Sequence, residues 1–367
     1  MKLNHIYKSI ACGVLLAMTA TSCDLDYNPV DTYSDVTEGV NKTDEKPIFN
    51  SVQDVETSMV TLHKKFRDQQ EHWYVDKLLI GDAHSDNAYA GTTGAEVVPY
   101  ETNSIEGSNS VLKRDWDRFL GDIAVANRII VGCDQLKALS ESERGKYQSQ
   151  AKIFRAMVMF DMVRLWGNFP VITTVGGDIT EDNVEEMYPT YFPPQNTAEE
   201  AYAQIEKDLT EAVENPNTPT NDTSDKSILT KSVARAMLAK VYAEKPLRDY
   251  AKVIKYADEL AADGFDLVED FSDLWAYDTE KKDCRVRNTK EAILEAHFPP
   301  GSGNWCTWMF GRNLSNWDES FTWAKWITPS RDLIRLYEEQ GDTKRYNESV
   351  VWYDCGWSNY YPADHYA

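Results

Sequence analysis

Cysteine and histidine are scarce in this chain, six of each in 367 residues. No C-x-x-C pair and no histidines at metal-ligand spacing occur, so a zinc centre is excluded, and His63, His72, His84 and His297 are scattered as isolated polar groups are. Cys133, Cys284, Cys306 and Cys355 could pair in an exported protein, but no connectivity can be read, and buried free thiols fit as well. Basic charge is also short: 38 Lys and Arg against 60 Asp and Glu give a net charge of -22, which would repel a phosphate backbone and excludes nucleic acid as a partner. After residue 20 no apolar run approaches the roughly twenty residues needed to span a bilayer. Catalytic signatures are missing too: no G-x-S-x-G elbow, no H-E-x-x-H, no Walker lysine loop, and Gly301-Ser-Gly303 continues into Asn-Trp. Sixty acidic residues make any choice of a glycosidase carboxylate pair arbitrary. With 42% hydrophobic and 27% charged residues, the composition is that of an ordinary globular protein, neither a disulfide miniprotein nor a disordered chain.

What is present begins at the N-terminus. Lys2 and Lys8 form a basic region, Ile10 to Ala20 an apolar run, and Ala20, Thr21 and Ser22 close it before Cys23. The pattern resembles a bacterial lipoprotein signal, residues 1–22, in which Cys23 is acylated and becomes the new N-terminus, although Thr19 stands where leucine is usual. The plainer reading is an ordinary secreted protein with an incidental Cys23. Loss of Lys2 and Lys8 would take the net charge from -22 to -24. Residues 23–50 are polar, contain Pro29 and Pro47 and lack an apolar period, as a lipid-anchored tether would.

From residue 51 the helical period dominates. Ser51 can cap a helix carrying Val52, Val55, Met59, Leu62 and Phe66 on one stripe; Leu112, Trp116, Phe119, Ile123, Ala126 and Ile130 form another. Ser140 and Glu143 make a capping box into a strongly apolar helix ending at Gly167, which predicts a central position, and Phe169 to Thr173 reads as a short strand or extended segment. A second box, Thr197 and Glu200, opens the next helix. Thr230 to Glu244 and Tyr250 to Ala262 predict a helical hairpin across Pro246, with Ala234, Ala239, Ala243, Ala251, Ala257 and Ala261 at the close approach. Its length is near the 34-residue period of a tetratricopeptide (TPR) repeat. Beyond Gly264 the texture is mixed, with Ile293 and Leu294 in an expected strand, and Thr328-Pro329 as a helix start running to Gly341. The expected fold is therefore mainly α, a TPR-like superhelical scaffold with long loops and a few short strands.

Several tracts resemble one family. Gly81-Asp-Ala-His-Ser-Asp-Asn-Ala-Tyr-Ala-Gly91, Phe154-Arg-Ala156, Asp161-Met-Val-Arg-Leu-Trp-Gly-Asn-Phe-Pro170, Tyr202 to Leu209, Thr230 to Tyr242, and Thr328 to Leu333 with Gly341 to Arg345 follow the order and spacing of the SusD/RagB lipoproteins of Bacteroidetes. Asp24 and Asp26 resemble the acidic tag that sends such lipoproteins to the cell surface. The resemblance implies an outer-membrane lipoprotein anchored through Cys23, with a palmitate-type acyl chain, which binds glycan without catalysis, needs no cofactor or metal, and delivers its ligand to a SusC-like TonB-dependent transporter. It divides the chain into a helical region, 51–263, and a C-terminal region, 264–367, which is shorter than the family pattern and looks truncated. A surface glycoside hydrolase and a peptide-binding RagB-like protein are the alternatives.

Sugar rings present C–H faces to Trp and Tyr, and their hydroxyls take Asp and Asn at the edges. Trp305, Trp308, Trp317, Trp323 and Trp326 crowd a Gly-, Asn- and Ser-rich stretch where no helical period requires them. The stretch Glu71 to Ser110 offers Trp73, Asp86, Asn87 and Tyr89. Trp73, Asp86, Asn87, Tyr89, Trp305, Trp308 and Trp317 are the candidate ligand contacts, against the plainer readings of core packing for the rings and capping or turn bonds for Asp86 and Asn87. Asp161 and Arg164 on the central helix read as a structural pair.

Overall fold

Ser51 opens the first helix as the sequence requires: its hydroxyl accepts from Asp54 N at 3.3 Å, and the Asp54 carboxylate accepts from Ser51 N at 3.0 Å. The structure, a computed structural model, describes residues 47–350 apart from 91–94, 178, 180, 182, 275–276, 279, 282 and 299–326. Among these, eleven α-helices and four short strands occur. Helix α1 (Val52–Asp68) buries Val55, Met59, Leu62 and Phe66. A π-helical turn (Glu71–Val75) leads into α2 (Asp76–Gly81), β1 (Ala88–Ala90) and α3 (Val98–Glu101). Two long helices follow, α4 (Ser110–Gln135), capped by Asn109, and α5 (Glu141–Trp166), opened by the Ser140/Glu143 box and ended by Gly167 at φ 73°.

Next come α6 (Val184–Met187), a 3-10 turn (Tyr188–Tyr191), α7 (Ala198–Glu214) with the Thr197/Glu200 box, α8 (Lys231–Ala243) and α9 (Tyr250–Ala262). The remaining described elements are a 3-10 turn (Phe271–Leu274), β2 (Tyr277–Asp278), β3 (Asp283–Cys284), β4 (Ile327–Pro329), α10 (Arg331–Gln340) and α11 (Thr343–Ser349). No described helix is long and apolar enough to cross a membrane.

The long helices stack in sequence, α1 on α4, α4 on α5, α5 on α7, α7 on α8 and α8 on α9, which is the TPR-like scaffold. Helix α5 lies in the middle: Ile153, Phe154, Ala156, Val158, Met159 and Met162 are all buried, so its apolar residues surround it rather than forming one stripe. A separate small cluster of Val75, Leu79, Ala83, Ala88, Val97, Tyr100, Val111 and Ile327 supports the region around β1. The β1–β4 pair is antiparallel, with Ala88 opposite Pro329, Tyr89 opposite Thr328 and Ala90 opposite Ile327.

The structure corrects the reading in several places. Ile48 and Phe49 belong to the core rather than to a tether; Phe49 lies over Gly132 of α4, where a Cβ would come within 2.4 Å of its ring. Ala243, Ala251, Ala257 and Ala261 are exposed, because the α8–α9 contact is built from larger residues, including Tyr242 stacked on Tyr256 at 6.1 Å. Of the two readings of Phe169 to Thr173, a short strand or an extended segment, the strand is not formed: a single bridge joins Phe169 to Asn196. Ile293 and Leu294 pack against the core without joining a strand. The cap of α10 is Ser330, since Thr328-Pro329 is held in β4 by its pairing with β1. Asp161 and Arg164 do not pair with each other: Asp161 meets Lys77 at 2.5 Å and Arg164 meets Glu244 at 3.0 Å, tying α5 to α2 and to α8.

Candidate functional site

The region Glu71 to Ser110, expected as a loop, is largely built into the π-helical turn, α2, β1 and α3, and its exposed turn is held from two sides. Ser85 donates to Asp82 O at 2.8 Å and accepts from Asn87 N at 3.2 Å, closing a turn. Glu101 Oε2 accepts from Ala90 N at 2.8 Å. Ser330 N donates to Asn87 O at 2.9 Å, and the Ser330 hydroxyl donates to Asp86 O while accepting from Leu333 N at 3.0 Å. One serine thus caps α10 and fixes the Asp86-Asn87 turn, more than two hundred residues away in sequence.

The strand alternation does the rest. Ala88 faces the small core and is buried, so Tyr89 points the other way and is 40% exposed. Asp86 and Asn87 are exposed, and their side chains bond to no described residue; the turn is satisfied through their backbone carbonyls instead. Asp86, Asn87 and Tyr89 are therefore brought together at one edge, beside β4, which the chain enters directly from the tryptophan-rich stretch. Trp305, Trp308, Trp317 and Cys23 lie outside the described residues.

Trp73 is a different case and corrects the expectation. It is 4% exposed, its ring centroid lies 4.7 Å from Phe66 and 5.5 Å from Phe154, and its Nε1 donates to Asp122 Oδ2 at 3.1 Å. Asp122 is itself buried and also meets His72 Nε2 at 2.8 Å and Lys65 Nζ at 3.1 Å. Such a residue has no face left for a ligand.

Two buried polar nodes were invisible to sequence reasoning. Arg155, the middle residue of the Phe-Arg-Ala tract, holds Asp208 of α7 with two bonds and donates to Asn127 Oδ1 at 2.7 Å; Asn127 in turn donates to Ile172 O and Thr174 O at 2.9 and 3.2 Å. The other node joins Asp76, Asp115 and Arg114 between α2 and α4. Asp76 and Asp115 are both buried, Arg114 pairs with Asp76, and one oxygen of each carboxyl has no other donor. Burial, then the charge of Asp76 and a hydrogen bond with it, push the Asp115 carboxyl up to about 9. A proton retained by Asp115 supplies the missing donor. The pair is sealed inside protein and offers no catalytic access.

A groove of about 380 Å³ between α1 and residues 295–297, lined by Phe66, Arg67, His63 and His297 among others, contains none of the sequence-predicted residues. Among the described residues no cluster of His, Cys, Asp and Glu is arranged to hold a metal ion.

A stack of helices in sequence order, with a short two-stranded edge joining β1 to β4, defines an α-superhelical, TPR-like architecture. Residues 32–243 match the SusD-like family model described as starch-binding, associating with the outer membrane, and the chain belongs to this family. A curated SusD-like protein of Bacteroides ovatus is 25% identical over 309 residues, covering 81% of this chain and 50% of that protein, so the chain spans half its relative's length. Among solved structures, a laminarin-binding SusD-like protein superposes with a TM-score of 0.64 at 19% identity, over 83% of this chain and 67% of its own. Surface glycan-binding protein A from Bacteroides thetaiotaomicron, in complex with laminarihexaose, gives a TM-score of 0.62 at 15% identity over 78% and 61%. These likenesses establish the shared fold.

Proposed function

We propose that the chain is a non-catalytic glycan-binding lipoprotein of the cell surface, anchored through Cys23, which captures oligo- or polysaccharide and delivers it to a TonB-dependent outer-membrane transporter. The observation that carries the reading is the β1–β4 pairing: it puts the exposed Asp86, Asn87 and Tyr89 beside the strand reached from the Trp305 to Trp326 stretch, an aromatic and polar combination suited to sugar. Family membership and the laminarin-binding fold relatives support the same ligand class.

The test uses protein beginning at Cys23→Ala, run on native gels containing laminarin or starch and incubated at length with the polysaccharide that retards it. Retardation with no new reducing ends supports the reading; release of reducing ends replaces it with the hydrolase, and binding of peptides alone replaces it with the RagB-like alternative. For the anchor and partner, the native chain should fractionate with outer membranes and co-purify with a transporter in mild detergent, whereas Cys23→Ala should become soluble.

A further inference from the structure

Between α5 and α7 the chain makes an arm, residues 169–196, whose base is fixed and whose tip is not buried. At the base, Phe169 is buried, Asn196 N donates to Phe169 O at 2.9 Å, and Val171 N donates to Asn196 Oδ1 at 2.9 Å. Asn127, locked by Arg155, holds the carbonyls of Ile172 and Thr174. The tip carries Tyr188-Pro-Thr-Tyr-Phe-Pro-Pro194, a run of rings and prolines.

The rings there are exposed yet held. Tyr188 is 56%, Tyr191 49% and Phe192 67% exposed. The Tyr191 hydroxyl donates to Gly177 O at 2.6 Å, and its ring lies on Gly176, where a Cβ would meet Tyr191 Cζ at 3.2 Å. Tyr188 and Phe192 contact each other, with centroids 4.9 Å apart at 43°. Glu185 and Glu186 are exposed beside them and pair with no described cation.

Three exposed rings on an anchored base are an incomplete surface, and their chemistry selects the occupant. Exposed ring faces of this kind suit the C–H faces of a few sugar rings. Carboxylates at the edge accept sugar hydroxyls while repelling an anionic polymer or an anionic lipid surface, an effect reinforced by the net charge of -22. We infer that Tyr188, Tyr191 and Phe192 form a second sugar-stacking platform, for neutral polysaccharide, built on elements separate from the β1–β4 edge. The inference rests on the glycan-binding reading above. Two platforms on one chain make binding of a long polysaccharide stronger than binding of a short fragment.

The experiment is affinity electrophoresis and calorimetry of the full chain on laminarin, amylopectin and mannan, with polygalacturonate as the anionic control, for wild type, Tyr188→Ala/Phe192→Ala and Tyr188→Phe. The double variant should lose about tenfold in affinity for the polysaccharide that wild type binds, with an unchanged melting temperature, while Tyr188→Phe, which keeps its ring, stays near wild type. Equal affinity of wild type and double variant overturns the platform and leaves the glycan reading intact. Wild type retarded by none of the neutral polymers overturns both. Preference for polygalacturonate overturns the neutral-sugar assignment, and wild-type self-association abolished in the double variant makes the patch a contact between copies of the chain.

Discussion

Arg155 of α5 grips both carboxylate oxygens of Asp208 on α7, at 2.8 and 2.7 Å, with both side chains buried. The same guanidinium reaches Asn127, so one residue joins three helices' worth of packing to the base of the aromatic arm. A buried pair is costly to break, since removing one partner strands a charge in the interior. Arg155→Met should lower stability by about 3–5 kcal/mol. Pairing it with Asp208→Leu should recover most of the loss, as denaturant titration of the four-member cycle will read; a double variant as unstable as the sum of its parts would contradict this account.

Asp115 makes stability depend on pH in a specific direction. Its folded-state proton affinity is raised, so the folded chain keeps a proton that the unfolded chain releases above the ordinary carboxyl range near ~3.9. The group's contribution is thus complete in acid and is lost as pH rises toward about 9. Asp115→Asn, which mimics the protonated carboxyl, should gain on wild type progressively across that window, with a slope no steeper than about 1.4 kcal/mol per pH unit. A stability gap that does not change with pH would show that no proton is held there.

Trp73 and Tyr89 should separate cleanly into packing and recognition. Trp73→Ala removes a buried ring and its bond to Asp122, at a cost of about 3–5 kcal/mol in folding free energy. Tyr89→Ala removes a ring that stands off the sheet, so the melting temperature should hold while polysaccharide affinity falls by about 1–2 kcal/mol. The reverse pattern, with Tyr89→Ala destabilising and binding normally, would remove Tyr89 from the proposed binding edge.

Ser330→Ala deletes both the α10 cap and the bond to Asp86 O. The loss should be about 0.5–2 kcal/mol, felt locally. Hydrogen exchange should quicken at the β1 and β4 amides and at Leu333 while the α4–α5 amides stay protected. Uniform acceleration across the molecule would indicate a global role instead.

Much of the scaffold was written locally. Capping boxes at Ser140/Glu143 and Thr197/Glu200, the stop at Gly167 and the apolar stripe of α1 involve residues within a turn or two of one another, so a reader of the chain meets all the partners at once. The proposed binding edge was half legible, because turn residues announce Asp86 and Asn87 but do not say that Ser330 will satisfy their carbonyls.

Whether an aromatic ring packs or protrudes depends on neighbours distant in sequence. Trp73 and Tyr89 lie sixteen positions apart in one tract, yet Asp122 and Phe154 enclose the first while strand pairing with Thr328 turns the second outward. The same holds for Tyr188 and Phe192, which no period marks and only the anchored arm exposes. Most helices and their caps were determined by the sequence through short-range hydrogen bonds and periodic burial, and the family by the order and spacing of its tracts. Which rings face solvent, which carboxyl keeps its proton and which arginine is buried were decided by tertiary packing, because each depends on the dielectric and partners that long-range contacts alone create.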